Sequence, residues 1–472
     1  MEAFISAMNT VFSTFGSVVI VPVILFVIGR FMGLDNAKAF RSALLAAVGL
    51  AGFSLVINSY SGIVAPVVNQ MVENAGVNLP ALDTGWQSTS VIAYSSTVGI
   101  LFIGVAIALE LILFFARWTD VFMASDLWNN YSFMVWGSLI YALTGNMWLA
   151  MACMVTQLLY ILLFSEVMAK RWSTYYQYPQ CCMTAPHHLE STPYALGMNW
   201  LLSKIGMNRI RLDANSIQKK LGIFGEPMFI GLIVGLIIGI LGNFNALAEL
   251  SSWGTITSVA VNTAAIMAIF PKVGGIFASA FTAMTDAYKA KAAKSGAGRD
   301  WYLSINDAAG YGEPNTLVTG TLLIPVMLGL SFVLPGNTIL PMADLCALPY
   351  MVEVFVASSN GNVAKSLVMG AIWFGLGLIV ASQLAPTFTE VAISTGFQLP
   401  QEGVYIMSFG IMCHPLIAAI FYAFWSQNPL IFGLVIAFYF VLYLIFKKNK
   451  ATIVDWVEEN ALISTGAEVP AA

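Results

Sequence analysis

Val91-Ile92-Ala93-Tyr94-Ser95-Ser96-Thr97-Val98-Gly99-Ile100-Leu101-Phe102-Ile103-Gly104-Val105-Ala106-Ile107-Ala108-Leu109-Glu110-Leu111-Ile112-Leu113-Phe114-Phe115-Ala116 carries one charged residue, Glu110, and stops at Arg117. A helix needs about 20 mostly apolar residues to cross a bilayer, so this run is long enough to span. The composition repeats the message: 472 residues, 58% hydrophobic and 9% charged, with a mean hydropathy of +0.80. Soluble domains carry roughly 25% charged residues, so soluble enzyme folds are excluded. With 20 Lys and Arg against 24 Asp and Glu, and a net charge of -4, no basic surface is set aside for nucleic acid.

Further apolar runs lie at Val11 to Ile28, Ser42 to Ile63, Tyr131 to Thr144, Met147 to Ser165, Gly225 to Leu241, Ile256 to Phe281, Thr316 to Leu334, Ile339 to Ala357, Ser366 to Ala381 and Val404 to Phe446. The first follows no basic, cleavable leader in Met1 to Asn9 and is expected to remain as a crossing. The five cysteines (Cys153, Cys181, Cys182, Cys346, Cys413) show no metal or disulfide spacing and read as small apolar thiols. The expected fold class is an all-α integral membrane protein with about 11 transmembrane helices, some of them re-entrant or broken.

Basic residues set the orientation, because Lys and Arg in short loops stay cytoplasmic. Arg30, Lys38, Arg41, Arg117, Lys170, Arg171, Lys204, Arg209, Arg211, Lys219, Lys220, Lys289, Lys291, Lys294 and Arg299 cluster in alternate connections. Ala65 to Ser90, Gly145 to Asn146, Gly242 to Trp253 and Ala385 to Gly403 carry no Lys or Arg and should face outward. Two crossings in Val404 to Phe446 would leave Lys447, Lys448 and Lys450 outside. One crossing plus a re-entrant piece broken near His414-Pro415 is preferred, with the N-terminus out and the C-terminus in; about twelve crossings is the alternative.

The expected divisions are a first transmembrane half (1–168), a cytoplasmic polar loop (169–223), a second, inverted half (224–384), a C-terminal membrane segment (385–450) and a cytoplasmic tail (451–472). A weak internal echo supports them. Gly16 to Gly29 resembles Gly225 to Gly239, and each half runs on to an Asp before another apolar helix, Asp83 in Leu82-Asp83-Thr84-Gly85-Trp86 and Asp307 in Asn306-Asp307-Ala308-Ala309-Gly310. Inverted repeats place transporter sites where broken helices from both halves meet. Chance similarity between apolar segments stands as the competing explanation.

Charge inside a membrane segment is costly and usually faces a cavity or a partner. Glu110 has Arg117 two turns on as a candidate partner, so structural and functional roles both stand. Glu166 lies near a helix end and is expected to be solvated. Glu353, after Pro349, suits either a pathway or a kinked helix. His414 before Pro415 reads as a structural histidine. Gly225-Glu226-Pro227 and Gly312-Glu313-Pro314-Asn315 place a carboxylate before a proline, which fits a first helical turn. Glu313 also gathers Asp307, Tyr311 and Asn315 in a glycine-rich break, a donor and acceptor set suited to a neutral polyol or, alternatively, to sodium. His187 and His188 in Pro186-His187-His188-Leu189-Glu190-Ser191-Thr192 read as a solvated loop or as a polar lid whose imidazole takes a proton from a hydroxyl being phosphorylated.

Together these residues resemble the galactitol-type membrane component, enzyme IIC, of the bacterial phosphotransferase system, in the ascorbate/galactitol superfamily. The resemblance covers nearly the whole chain. It rests on Asp83-Thr84-Gly85-Trp86, Asp126-Leu127-Trp128-Asn129, Leu143-Thr144-Gly145, Pro186-His187, Phe224-Gly225-Glu226-Pro227, Asp307, Leu334-Pro335-Gly336-Asn337, Leu340-Pro341 and Asp344. It departs at Ser132, where the family pattern has a histidine, and at Gly312-Glu313, where Gly-His is common. The resemblance implies a homodimer in the bacterial inner membrane, with a core domain moving against a dimerising scaffold. Uptake of a sugar or polyol would be coupled to phosphorylation by a separate IIB protein carrying a phosphocysteine, itself charged by a IIA phosphohistidine. Lys170 to Leu221 is too short to hold either domain. His187 is the implied catalytic residue. Asp83, Thr84, Ser132, His187, Asp307, Glu313 and Asn315 are the implied substrate-binding set, with no metal or cofactor. An ion-coupled secondary transporter using Glu313, Asp307 or Glu110 is the alternative, and a receptor without transport the third.

Overall fold

The computed structural model describes residues 33–75, 79–123, 130–210, 212–214, 226–295, 300–341, 343–397 and 404–464, with residue 399 and single positions between 14 and 30. Expectations placed on Asp126 to Asn129, Arg211, Lys219, Lys220, Phe224, Gly225 and Arg299 lie outside the described residues.

In chain order the helices are α1 (Asn36–Ala75), α2 (Trp86–Ser95), α3 (Thr97–Phe115), α4 (Asn130–Thr144), α5 (Met147–Tyr176), α6 (Pro186–Leu189), α7 (Thr192–Lys204), α8 (Pro227–Gly242), α9 (Leu250–Ser295), α10 (Ala308–Tyr311), α11 (Pro314–Val333), α12 (Leu348–Met351), α13 (Glu353–Ser358), α14 (Val363–Ser394), α15 (Phe409–Met412), α16 (Pro415–Trp425), α17 (Pro429–Lys448) and α18 (Lys450–Ile463). Six stretches among the described residues are long and apolar enough to cross a membrane: α3, α5, Leu250–Ile269 of α9, α11, α14 and α17.

Local signals start several of these helices. The opening run breaks at Ser96, whose side chain accepts from Gly99 N at 3.0 Å and caps α3. Asn146 caps α5 in the same way through Leu149 N. Pro429 stands at the start of α17, just after the cap residue Asn428. Beyond His414 the chain forms the 11-residue α16, roughly 16 Å long, too short for a hydrocarbon core of about 30 Å.

Glycine decides how closely α8 and α9 approach. A Cβ at Gly235 would lie 2.6 Å from the Ala260 Cα, and one at Gly239 would lie 2.9 Å from the Ile256 Cα. Small residues four apart let membrane helices bring their backbones together, where dispersion contacts hold them without help from water. The α8 end is tied to α1 by Asn74 Nδ2 donating to Gly242 O at 2.7 Å.

Among the described residues six short strands supplement the helices: β1 (Ala81–Asp83), β2 (Val121–Phe122), β3 (Cys181–Cys182), β4 (Tyr302–Ser304), β5 (Ile339–Leu340) and β6 (Tyr405–Met407). They form two parallel three-stranded sheets, ordered β5-β1-β6 and β2-β4-β3. Each sheet therefore takes its middle strand from one half of the chain and its flanks from the other. Asp83 pairs with Met407 and Ser304 with Cys182, so in strand register Ser304, not Asp307, stands in the place of Asp83.

The segment expected as a polar cytoplasmic loop is, over its described part, folded. α5 continues through Lys170 and Arg171 to Tyr176, and α6 and α7 bury His188, Leu189, Ala195, Leu196 and Asn199. The last helix, α18, packs back on α5 and α7. Arg171 meets Glu458 at 2.8 Å, and Lys447 and Lys450 both reach Glu166, at 2.8 and 2.5 Å, so Glu166 is buried and ion-paired within α5, not solvated at a helix end.

Candidate substrate site

Three chain segments leave the C-terminal ends of β2, β4 and β3, and two of them meet at once. Ile305 N donates to Cys182 O at 2.8 Å, and the Thr184 and Ser304 hydroxyls are 2.6 Å apart. These bonds hold the outgoing segments side by side, with Pro186 starting α6. The result brings His187 Nε2 to 2.8 Å and His188 Nε2 to 3.2 Å from one oxygen, Oδ2 of Asp307. Ionised Asp307 can only accept, so both Nε2 atoms donate and each ring keeps its basic lone pair at Nδ1. Neither Nδ1 has a hydrogen-bond partner.

These groups lie in connections between the membrane-length helices. Burial raises the Asp307 carboxyl, but the hydrogen bonds and charges of His187 and His188 outweigh it and hold the group below its usual range. Burial, and then the neighbouring His187, push His188 down to about 3. The donor types of His187, His188 and Asp307, within 4.8 Å of one another, could also hold a metal ion. Metal-bound histidines normally donate their other ring nitrogen to an acceptor, and both Nδ1 atoms here have none. The hydrogen-bonded dyad fits the geometry better.

The other sheet ends nearby. The His414 ring, on the segment leaving β6, is 6.3 Å from the His187 ring, centre to centre. His414 is held at both nitrogens, by Glu190 Oε1 at 3.3 Å and Gly410 O at 2.8 Å. Glu190 is buried; its Oε2 accepts from Leu416 N and Ile417 N at the start of α16, and Oε1 from Trp373 Nε1. The solvated-loop alternative is corrected for His188: it is buried, as are Glu190, Ser191 and Thr192.

Asp83 is committed to backbone. Its Oδ1 accepts from Gly85 N and Phe409 N, and its Oδ2 from Asp344 N. Asp344 in turn accepts from Ser408 Oγ and Gly410 N. Burial, and then the charge of Asp344, raise the Asp83 carboxyl. Thr84 Oγ1 donates locally, to Ser88 Oγ at 2.8 Å or Met407 O at 3.2 Å. Glu313 caps α11 through Thr316 N and Thr316 Oγ1, and accepts from Asn315 Nδ2. Asn315 also accepts from Ala214 N and donates to Tyr175 Oη. Ser132 lies buried in α4 with no partner at Oγ.

Of the expected set, His187 and Asp307 touch. Asp83 with Thr84, and Glu313 with Asn315, form two further groups with their own partners. His188 and Glu353 were not in that set. Glu353 is wholly buried, accepts from Trp172 Nε1 at 2.9 Å and has no partner at Oε1. A Cβ on Gly310, three residues beyond Asp307, would collide with that carboxylate. The His-His pair directly after a helix-starting proline was the available signal for His188.

Membrane-length apolar helices around buried ionisable groups, carried on broken segments from both halves, define a polytopic membrane protein with an internal polar site. The chain belongs to the family of PTS system sugar-specific permease components, EIIC-GAT, whose model matches residues 10–403. It is 28% identical over 397 residues to a permease IIC component of Escherichia coli (strain K12), covering 84% of this chain and 89% of that protein. It is 26% identical over 382 residues to the PTS system galactitol-specific EIIC component of the same strain, covering 81% and 83%. The galactitol-specific EIIC component of Escherichia coli O157:H7 matches to the same extent.

Proposed function

We propose that this permease component carries a galactitol-like sugar or polyol across the bacterial inner membrane, with the substrate phosphorylated by a separate IIB protein. The observation that carries the reading is His187: Nε2 is fixed on Asp307 at 2.8 Å while Nδ1 is unpartnered. A base oriented by a carboxylate suits removal of a hydroxyl proton. As the sugar oxygen attacks phosphorus on IIB, the O–P bond forms, the S–P bond to cysteine breaks and the proton passes to His187 Nδ1. Asp307 stabilises the resulting imidazolium, as a buried carboxylate does in other acid–base dyads. The cation-site alternative loses support at Glu313, whose carboxylate already accepts from Thr316 and Asn315.

The inverted repeat gains support from element order. The run α1, β1, α2, α3, β2, α4, α5, β3, α6, α7 is followed, after α8, by α9, β4, α10, α11, β5, α12, α13, α14, β6, α15, α16, the same order with the four-residue α12 added. Contact of Asn74 with Gly242 supports placing the connections after α1 and α8 at one membrane face. The grouping of Lys170, Lys447 and Lys450 with Asp455 and Glu166 supports a common opposite face, the cytoplasmic one under the positive-inside rule. On this reading the C-terminus is inside and the N-terminus outside. The exposed apolar residues Leu430, Leu434 and Leu444 of α17 suit lipid or a second copy in a homodimer, and a IIA protein recharges IIB.

Vesicles energised only through phosphorylated IIB test the reading. Initial uptake of labelled galactitol or a related hexitol should survive an uncoupler and appear inside as the phosphate ester. Accumulation of unmodified sugar, abolished by the uncoupler and indifferent to IIB, would refute it.

A further inference from the structure

Asn130 is 1% exposed, yet among the described residues neither its Oδ1 nor its Nδ2 has a hydrogen-bond partner. Burying a whole amide unpaired is unfavourable, and such groups in native structures call for a reason. Its position supplies one. Asn130 opens α4, on the segment leaving β2, while Asp307 lies on the segment leaving β4 and His187 and His188 on that leaving β3. These three strands are neighbours in one parallel sheet, so the segments that leave them begin side by side. α4 also packs against α6, the helix of the two histidines.

We propose that Asn130 is a specificity-determining residue of the sugar site, pairing with a hydroxyl of an uncharged polyol. The assignment rests on the polyol-transport reading above and adds to it a residue and a selection rule. Among the described residues, the unpartnered buried atoms on the segments leaving β2 and β3 include the Asn130 amide, Ser132 Oγ and the Nδ1 atoms of His187 and His188. Two of these, the imidazole lone pairs, can only accept, and the amide oxygen is a third acceptor. A ligand that completes them must bring several O–H donors and also accept from Nδ2. Adjacent hydroxyls do both, each donating once and accepting once. A carboxylate or phosphate facing these atoms brings acceptors without donors, so at the positions that meet the imidazoles a hydroxyl is preferred over an anionic group.

The experiment is equilibrium binding of hexitols, starting with galactitol, and of their monodeoxy analogues to the full chain in lipid nanodiscs. Asn130→Leu removes a buried unpaired amide, so its Tm should equal or exceed that of the wild type. Its affinity for the accepted hexitol should fall roughly five- to 150-fold. One deoxy analogue should bind wild type as weakly as the full hexitol binds the variant, and the variant should not distinguish the two. Asn130→Gln, which keeps the amide but shifts it by one methylene, provides the same comparison if the leucine variant does not fold. Unchanged affinity with wild-type discrimination among the deoxy analogues would overturn the assignment. Wild-type protein that binds no hexitol in the panel would overturn the polyol reading itself, and this assignment with it.

Discussion

Arg171 and Glu458 stand 2.8 Å apart with side-chain exposures of 4% and 16%, so the last helix is locked to α5 by an ion pair almost closed to water. Arg171 Nη2 also donates to Asn360 Oδ1 at 3.0 Å, and Asn360 holds a left-handed φ of 52°. One cation thus fixes both the C-terminal helix and the turn before α14.

Removing one member of such a pair strands the other. Glu458→Ala is expected to destabilise by roughly 3 kcal/mol, the lower end of the range for buried pairs because Glu458 retains some solvent. The double variant Arg171→Met, Glu458→Leu should recover most of that loss. Thermal melts in one detergent compare the three proteins.

Gly235 and Gly254 separate packing from helix propensity. Gly235→Val places new atoms against the Ala260 and Val259 backbone, and overpacking of this kind costs about 1 to 3 kcal/mol. Gly254 has nothing within 4 Å of its Cβ position, so Gly254→Ala should be neutral or stabilising by up to about 1 kcal/mol. Equal Tm shifts for the two would contradict the close α8–α9 contact.

His188 makes acid stability measurable. Its folded pKa, about 3, lies below the ordinary 6.5, so between these values the unfolded chain binds a proton that the folded protein does not. Stability from this group is therefore complete above about pH 6.5 and falls as pH drops toward 3. His188→Gln retains an N–H donor for Asp307 without titrating. Its stability against pH should be flatter over that window, read by denaturation at successive pH values.

Asp307→Asn tests the dyad. The amide can turn its N–H toward His187 Nε2 and impose the other tautomer, with the proton on Nδ1. Phosphorylation should fall roughly 10²- to 10⁴-fold while hexitol binding persists. Loss of binding and phosphorylation in equal measure would instead make Asp307 a substrate ligand alone.

The long apolar runs were legible because lipid imposes hydropathy on sequence. Thr316 to Leu334 became α11 (Pro314–Val333) almost to the residue. The apolar run Met147 to Ser165 is shorter than its helix: α5 continues to Tyr176, where Lys170 and Arg171 find Asp455 and Glu458 on a later helix. The strands, two or three residues each, are too short to show a period of two. The backbone partners of Asp83 at Asp344 and Phe409 lie 261 and 326 residues away, beyond the reach of any local pattern. Asn130 carried no sequence signal, since a missing partner is visible only once neighbours are placed.

Because each sheet borrows its middle strand from the opposite half, the order of synthesis matters. β1 leaves the ribosome long before β5 and β6, so its edges stay unpaired until residues 339–340 and 405–407 have been made. Contacts so distant along the chain close late and slowly. The nascent first half must therefore wait in the bilayer with open strand edges, a period in which insertase or chaperone protection would be most needed. A chain cut between Arg209 and Ile210, both exposed, and co-expressed as two pieces should give a folded protein only where both pieces meet in the same membrane.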